Sequence, residues 1–256
     1  MNNILPNDFD LLVQQAVLQF WNSRLSSSVS TQEGGRGSVI GGKNLDGFSS
    51  LIKAVAQHCG APDDCIVTSG KKTLTIPGYF RPTKMWDAIV IYKGRLVACF
   101  ELKSQVGSFG NNFNNRTEES IGSATDFWTA FREKAFDIEN FKSANLLSDN
   151  NTVVKRPFLG YLMLLEECND STSPVKVEEG NFNVFKEFYL SSYAKRYQLL
   201  CEKLVLEGLY SSASLILSNK DKGMTTGDYS TPTNSLSPRS LLADFAGQLL
   251  SVLERY

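Results

Sequence analysis

Apolar residues recur at helical spacing near the start of the chain, where Phe9, Leu12, Val13, Ala16, Val17 and Phe20 share one face behind the candidate caps Asn7 and Asp8. This predicts a first helix. The Gly- and Ser-rich stretch SSSVSTQEGGRGSVIGGKN interrupts the pattern and reads as a loop. Phe48, Leu51, Ile52 and Val55 resume it in a second helix, expected to stop at Gly60 and Pro62. From 66 to 103 the period shortens to strand-like runs broken by IPGYFRP and KGR, and FLGYLMLL, beginning at Phe158, has the unbroken apolarity of a buried strand. Between these regions a helix is predicted over about 116 to 139, with Ile121, Ala124, Trp128, Phe131 and Ala135 on its apolar stripe and Asn115 with Glu118 as a variant capping box. An amphipathic helix follows over about 182 to 209, then a strand in SASLILS. The polar segment TTGDYSTPTNS is expected to be mobile. Ser237 as cap and Pro238 at the first position then open a last helix carrying Leu241, Leu242, Phe245, Leu249 and Leu253. With no internal repeat, the pattern predicts a mixed α/β (α+β) fold.

The chain has 256 residues, 42% of them hydrophobic and 21% charged, which suits one well-packed domain. Its longest apolar runs are too short to cross a bilayer, and MNNILPNDFD lacks a basic start followed by an apolar stretch, so a cytoplasmic protein is expected. Five scattered cysteines without a Cys-x-x-Cys pair support neither a disulfide framework nor a zinc site, and reduced, mostly buried thiols are expected. The formal net charge of −1 gives no global attraction to nucleic acid or membrane. Locally the picture changes. Residues 71 to 103 hold seven Lys or Arg against two acids, an excess suited to a polyanionic substrate.

Those two acids lie in the stretch WDAIVIYKGRLVACFELKSQ, which otherwise reads as the inside of a sheet. On an extended strand Glu101 and Lys103 share a face while Phe100 and Leu102 point the other way. If DAIVIY pairs antiparallel with LVACFEL, Asp87 comes near Glu101, and two close carboxylates call for a cation between them. Mg²⁺ suits hard oxygen ligands and an incomplete protein shell. A neighbouring lysine can hold or deprotonate water and offset charge on a phosphate under attack, which is the chemistry of phosphodiester hydrolysis. Register decides whether this cluster forms. A two-residue turn at Lys93 and Gly94 alone would set Asp87 opposite Phe100, so either a three-residue turn through Arg95 or a bulge between Ala88 and Phe100 is required. Glu-x-Lys on a strand is by itself more often a solvated face. The segment after it, SQVGSFGNNFNNRTEES, reads as an irregular loop before a helix. Asn111, Asn112, Asn114 and Asn115 could pair with adenine edges and Arg116 could fork onto guanine, or the asparagines could only make turns and a cap.

The Asp87, Glu101-Leu102-Lys103 pattern is similar to the PD-(D/E)XK nuclease motif, with Trp86 at the position before the aspartate. The long run from Trp86 to Phe136 resembles the XhoI family of type II restriction endonucleases, and GGRGSVIGGKNLDGF and RPFLGYLMLLE extend the likeness. It favours a functional reading of the Asn-rich loop. The resemblance implies a mixed sheet flanked by helices in a single nuclease domain, with a catalytic core over about 40 to 166 and a helical part over about 180 to 256. It also implies a homodimer that binds double-stranded DNA, depends on Mg²⁺ and cuts both strands at the palindrome CTCGAG, with a companion methyltransferase acting on the same site. Asp87 and Glu101 then correspond to the metal-binding carboxylates, the backbone carbonyl of Leu102 to a further oxygen ligand, and Lys103 to the lysine that orients or activates water. Asp46 is the choice for an additional acid from an early helix, over Glu33, although it could equally be a helix-start acid facing the macrodipole.

Other chemistries fit less well. Gly37, Gly42 and Lys43 nearly spell a phosphate-binding loop, but Asn44 replaces its hydroxyl residue and no hydrophobic strand precedes it. The single histidine, His58, sits near the end of the second predicted helix and reads as a cap or surface residue. A repair or recombination nuclease of the same motif class and a non-catalytic DNA-binding module are the competing readings.

Overall fold

The computed structural model describes residues 3–30, 44–137 and 156–255; Glu33 and the phosphate-loop-like stretch at 37–43 lie outside them. Seven helices surround a five-stranded sheet among the described residues. Helices α1 (Phe9–Ser30) and α2 (Asp46–His58) come first, followed by strands β1 (Ile66–Val67), β2 (Thr75–Pro77), β3 (Thr83–Met85), β4 (Ala88–Tyr92) and β5 (Arg95–Gln105). Helix α3 (Phe109–Arg132), strand β6 (Phe158–Glu166) and the single turn α4 (Asn169–Thr172) follow. Helix α5 (Tyr193–Leu206), strand β7 (Ser212–Ser218), the short α6 (Lys220–Thr226) and α7 (Pro238–Leu253) complete the order.

The main sheet runs β1-β4-β5-β6-β7, antiparallel as far as β5 and parallel from β5 to β7; β2 and β3 pair only with each other. Side-chain alternation divides the core into two apolar layers. Val90, Phe100, Leu102 and Leu162 pack toward α1, α2 and α7, while Ile89, Cys99, Tyr161 and Met163 pack toward α3 and α5. Strand β6, covered on both faces, therefore has no polar phase to show in sequence. Gly160 within it is a packing requirement, since a Cβ there would lie 2.5 Å from the Phe100 ring. All five cysteines are free thiols, three of them buried. Among the described residues no helix is long and apolar enough to cross a membrane.

Several expectations are corrected. Helix α1 continues through the serine run to Ser30. The Asn-rich segment is the beginning of α3, which starts seven residues before Arg116; Asn115 and Glu118 are interior helical positions, not a capping box. Gly107 and Ser108, both with positive φ (65° and 47°), turn the chain out of β5. Phe109 then stacks on Tyr193 and Phe113 meets Tyr197 edge-on, at centroid distances of 6.0 and 5.2 Å. These anchors to α5 override the weak helix propensity of the asparagines. Ala124 and Trp128 are buried as predicted, but Ile121 is 42% exposed, and Ser120, Ser123 and Phe127 join the buried stripe. The helix expected from 182 begins only at Tyr193, where the Ser192 side chain caps Lys195 N–H. The polar stretch after α6 is tied down, with reciprocal backbone hydrogen bonds between Leu217 and Ser230 and a bond from Ser218 Oγ to the Asp228 carbonyl. The last helix opens with Ser237 and Pro238, as its sequence predicts.

Candidate active site

The β4–β5 hairpin sets the geometry of the acids. Lys93 and Gly94 form a two-residue turn with φ values of 48° and 73°, pairing Tyr92 with Arg95 and Ile91 with Leu96. Val97 is then left unpaired, so that Val90 meets Ala98 and Ala88 meets Phe100. A two-residue turn plus a bulge thus supplies the one-residue slip that the acids require. Asp87 falls just beyond the last ladder pair. Its N–H donates to the Phe100 carbonyl, and its Oδ2 accepts the Leu102 N–H at 2.7 Å, taking the place of a ladder carbonyl. Ser49 Oγ on α2 lies 3.5 Å from the Asp87 carbonyl.

Glu101 and Lys103 rise from β5 toward α3. Glu101 is 2% exposed, with Oε1 2.7 Å from Lys103 Nζ and Oε2 2.8 Å from Lys84 Nζ. Burial acts to raise the Glu101 carboxyl, but the ammonium groups of Lys103 and Lys84 outweigh it and hold it below the ordinary carboxylate value. Burial likewise disfavours the charge on Lys103, while Glu101, and to a smaller extent Asp87 and Glu119, raise its pKa, so it stays an ammonium group. Asp87 goes the other way. Burial raises its carboxyl to about 6, against the pull of the Leu102 N–H, and neighbouring Glu101 adds to the rise. Glu101 is thus paired with two lysines, whereas the rise at Asp87 comes mainly from burial and outweighs the pull of Lys103 and Lys84.

Two adjoining cavities expose this cluster. The first, about 380 Å³, is lined by Asp87, Leu102, Lys103, Asn112 and Arg116, with Arg24 from α1 across from them. The second, about 340 Å³, is lined by Glu101, Lys103 and Lys84 together with Arg81, Glu118 and Glu119. Lys103 borders both. Of the other sequence candidates, Asn112 and Arg116, one helical turn apart, face the first cavity; Asn112 Nδ2 donates to the Ser108 carbonyl, and Arg116 donates to Glu119 at 2.7 Å. Asn111, Asn114 and Asn115 are exposed on α3 outside that lining, and Asp46 is exposed at the start of α2, beside Leu45, which does line it. Lys84, Arg24 and Glu119 were not singled out by the sequence. Lys84 stacks over the buried Trp86 ring at 4.5 Å, and its two-residue spacing from Trp86, just past the end of β3, is the one sequence signal that they share a face.

The donors suit a hard divalent cation. Asp87 and Glu101 offer oxygens only, and the first cavity opens to solvent beside Asp87. No group of three or more His, Cys, Asp or Glu side chains able to hold a metal occurs among the described residues, so water and substrate oxygens would complete the shell.

No solved structure matches the chain. Three curated proteins do. It is 50% identical over 209 residues to the type II restriction enzyme BstVI of Geobacillus stearothermophilus, covering 79% of this chain and 85% of that protein. To the type II restriction enzyme XhoI of Xanthomonas vasicola it is 43% identical over 206 residues, 78% of this chain and 77% of the relative. It is 42% identical over 170 residues to the type II restriction enzyme AbrI of Azospirillum brasilense, 64% of this chain and 69% of the relative. The family described as restriction endonuclease XhoI matches residues 24–231, a span that includes both cavities and the whole β4–β5 hairpin, and the chain belongs to that family of restriction endonucleases.

Proposed function

We propose that the protein is a Mg²⁺-dependent type II restriction endonuclease that cuts both strands of CTCGAG after the first cytosine, leaving 5′ overhangs. The observation that carries this reading is the convergence of Asp87, Glu101 and Lys103 on two adjoining cavities in a chain of this family. Asp87 and Glu101 would hold the ion, with the Leu102 carbonyl as a further oxygen; when bound, it supplies positive charge to the scissile phosphate and lowers the pKa of water. Lys103, kept as an ammonium by Glu101, serves to orient water and to offset charge developing on the phosphate. Arg24 and Arg116 give the first cavity two guanidinium groups suited to phosphate or guanine, and Asn112 beside them suits an adenine edge. Asn111, Asn114 and Asn115 extend the same helix as a polar, exposed row available to bases.

A homodimer with two-fold symmetry presents the same surface to each half of a palindrome and one catalytic cluster to each strand. We assign the enzyme to the cytoplasm, where its DNA substrate lies, alongside a methyltransferase that acts on the same site, with no complex between the two implied. The test is digestion of a plasmid carrying one CTCGAG site and a matched plasmid lacking it, with Mg²⁺, followed by mapping of the ends. One linear product from the first plasmid alone is expected. Equal cutting of both, or ends mapping to another sequence, rejects the specificity; structure-dependent nicking points to a repair nuclease; binding without cutting rejects the enzymatic reading.

A further inference from the structure

The hairpin formed by β2 and β3 belongs to neither apolar layer through its tip. Residues 78–82 close it, with Gly78 N–H donating to the Pro82 carbonyl. At the tip Tyr79 and Phe80 form a T-shaped pair with centroids 5.0 Å apart, yet they are 53% and 70% exposed. Two neighbouring aromatic rings in water would ordinarily be expected on a loose loop, but this one is held. The buried carboxylate of Asp126 on α3 accepts the N–H groups of Tyr79 and Phe80 at 2.8 and 2.7 Å and pairs with Arg81 Nε at 2.8 Å. Gly78 is part of the same lock, because a Cβ there would lie 2.6 Å from Asp126 Oδ2 and 2.7 Å from the Arg81 carbonyl. A buried charge is thus committed to fixing the shape of a surface aromatic tip.

The tip stands beside the catalytic cluster. Arg81 and Lys84 line the cavity that also holds Glu101 and Lys103. Phe80 is four residues from Lys84, at most about 14 Å along the chain. That compares with a major groove roughly 12 Å wide, so a duplex whose phosphate enters the cavity passes within reach of the rings. The charge also selects the occupant. In the cavity beside the tip Arg81, Lys84 and Lys103 balance Glu101, Glu118 and Glu119, and the exposed Lys71 and Lys72 ahead of β2 add positive charge, so a polyanion engaged by the catalytic cluster is the occupant the tip would meet.

We propose that the β2–β3 tip is a second DNA contact, in which Tyr79 and Phe80 pack against sugars and bases flanking the scissile phosphate and Arg81 takes a neighbouring phosphate. The proposal rests on the nuclease reading above. It gives the enzyme a grip on DNA outside the acids and outside α3, made by rings that need no particular base partner.

The test uses the full chain and duplexes carrying 5-iodouracil at single positions within and beside CTCGAG, irradiated in EDTA, with adducts mapped by mass spectrometry. Adducts on Tyr79 or Phe80 from one or two adjacent positions are expected. Tyr79→Ala/Phe80→Ala should bind the unmodified duplex at least tenfold more weakly with an unchanged melting temperature, since both side chains are largely exposed. Arg81→Ala should reduce the slope of log affinity against log salt by about one. Adducts mapping elsewhere, or an affinity of the double variant within twofold of wild type, overturn the proposal, as does a change of oligomeric state, which would make the tip a subunit contact. If wild type cuts CTCGAG while the tip variants bind normally, this inference alone fails. If wild type neither cuts nor binds duplex DNA, the nuclease reading fails and this inference with it.

Discussion

Strands β5 and β6 lie side by side in a parallel pair of eight residues in register, from Ala98 opposite Phe158 to Gln105 opposite Leu165, and differ in almost everything else. On the α3 side, β6 presents Tyr161, Met163 and Leu165 where β5 presents Glu101, Lys103 and Gln105. The backbone geometry is shared, so the difference is one of side chains and cover. Strand β6 is sealed on both faces, whereas beyond Cys99 the cover over β5 gives way to two cavities and the strand's charges neutralise one another. One strand supports the fold and its neighbour the chemistry, and substitutions should separate the two.

The largest effect is expected in β6. Leu162→Ala removes a side chain only 1% exposed and should cost about 2–5 kcal/mol of stability. Urea unfolding measures this, and cleavage per folded molecule should remain near that of wild type. If cleavage falls while stability holds, the division between the strands is false.

Asp87→Asn should do the reverse. The native carboxyl, at about 6, lies above its ordinary 3.8, so between those values the folded state binds more protons than the unfolded and stability falls as pH rises. The penalty is absent below about pH 3.8 and complete above about 6. Removing it should stabilise the metal-free protein at pH 7 by up to roughly 3 kcal/mol, with no gain below pH 4. The same variant should lose cleavage and any Mg²⁺-induced rise in melting temperature. Equal melting temperatures for variant and wild type at pH 7 would contradict the burial argument.

For Lys103→Ala, the single-turnover cleavage rate should drop on the order of a hundredfold, about 2.7 kcal/mol of barrier, with duplex affinity retained. Loss of affinity matching the loss of rate would make Lys103 a binding residue only. The smallest effect should come from Glu119→Gln. Its carboxylate, about half exposed, lies 2.7 Å from Arg116 and 3.8 Å from Lys103, so its contribution to stability is at most about 1 kcal/mol. Freeing both cations should instead raise duplex affinity severalfold, measurable by titration at low salt; weaker binding would show that Glu119 positions Arg116 rather than shielding it.

What was legible in the sequence follows the same division. Helices α2 and α7 and strand β6 could be read because their apolar positions keep one period, or none, along their whole length. The hairpin register could be narrowed to two solutions but not chosen between, because nothing in Leu96, Val97 and Ala98 marks which residue bulges. The start of α3 is hidden in the sequence because Gly110, Asn111 and Asn112 signal a turn locally, whereas Phe109 and Phe113 find their partners on α5, some 84 positions away. The places of Lys84 and Arg24 are hidden for a related reason. Lys84 reaches Glu101 from a different sheet and Arg24 lines the first cavity from α1, far along the chain, and neither relation has a spacing to recognise.

The parallel pairing of β5 with β6 also bears on how the protein comes to be active. Ala98 and Phe158 are 60 positions apart, with α3 between them, so this ladder can close only after a long segment has been drawn together. Such non-local pairings form slowly compared with helices and tight hairpins. The β4–β5 hairpin can bring Asp87 toward Leu102 early, but Glu101 and Lys103 gain their shielded surroundings only when β6 and α5 have docked. During refolding, cleavage should therefore appear with the slowest phase, well after most helical signal has returned, and partly folded chains should be harmless to DNA.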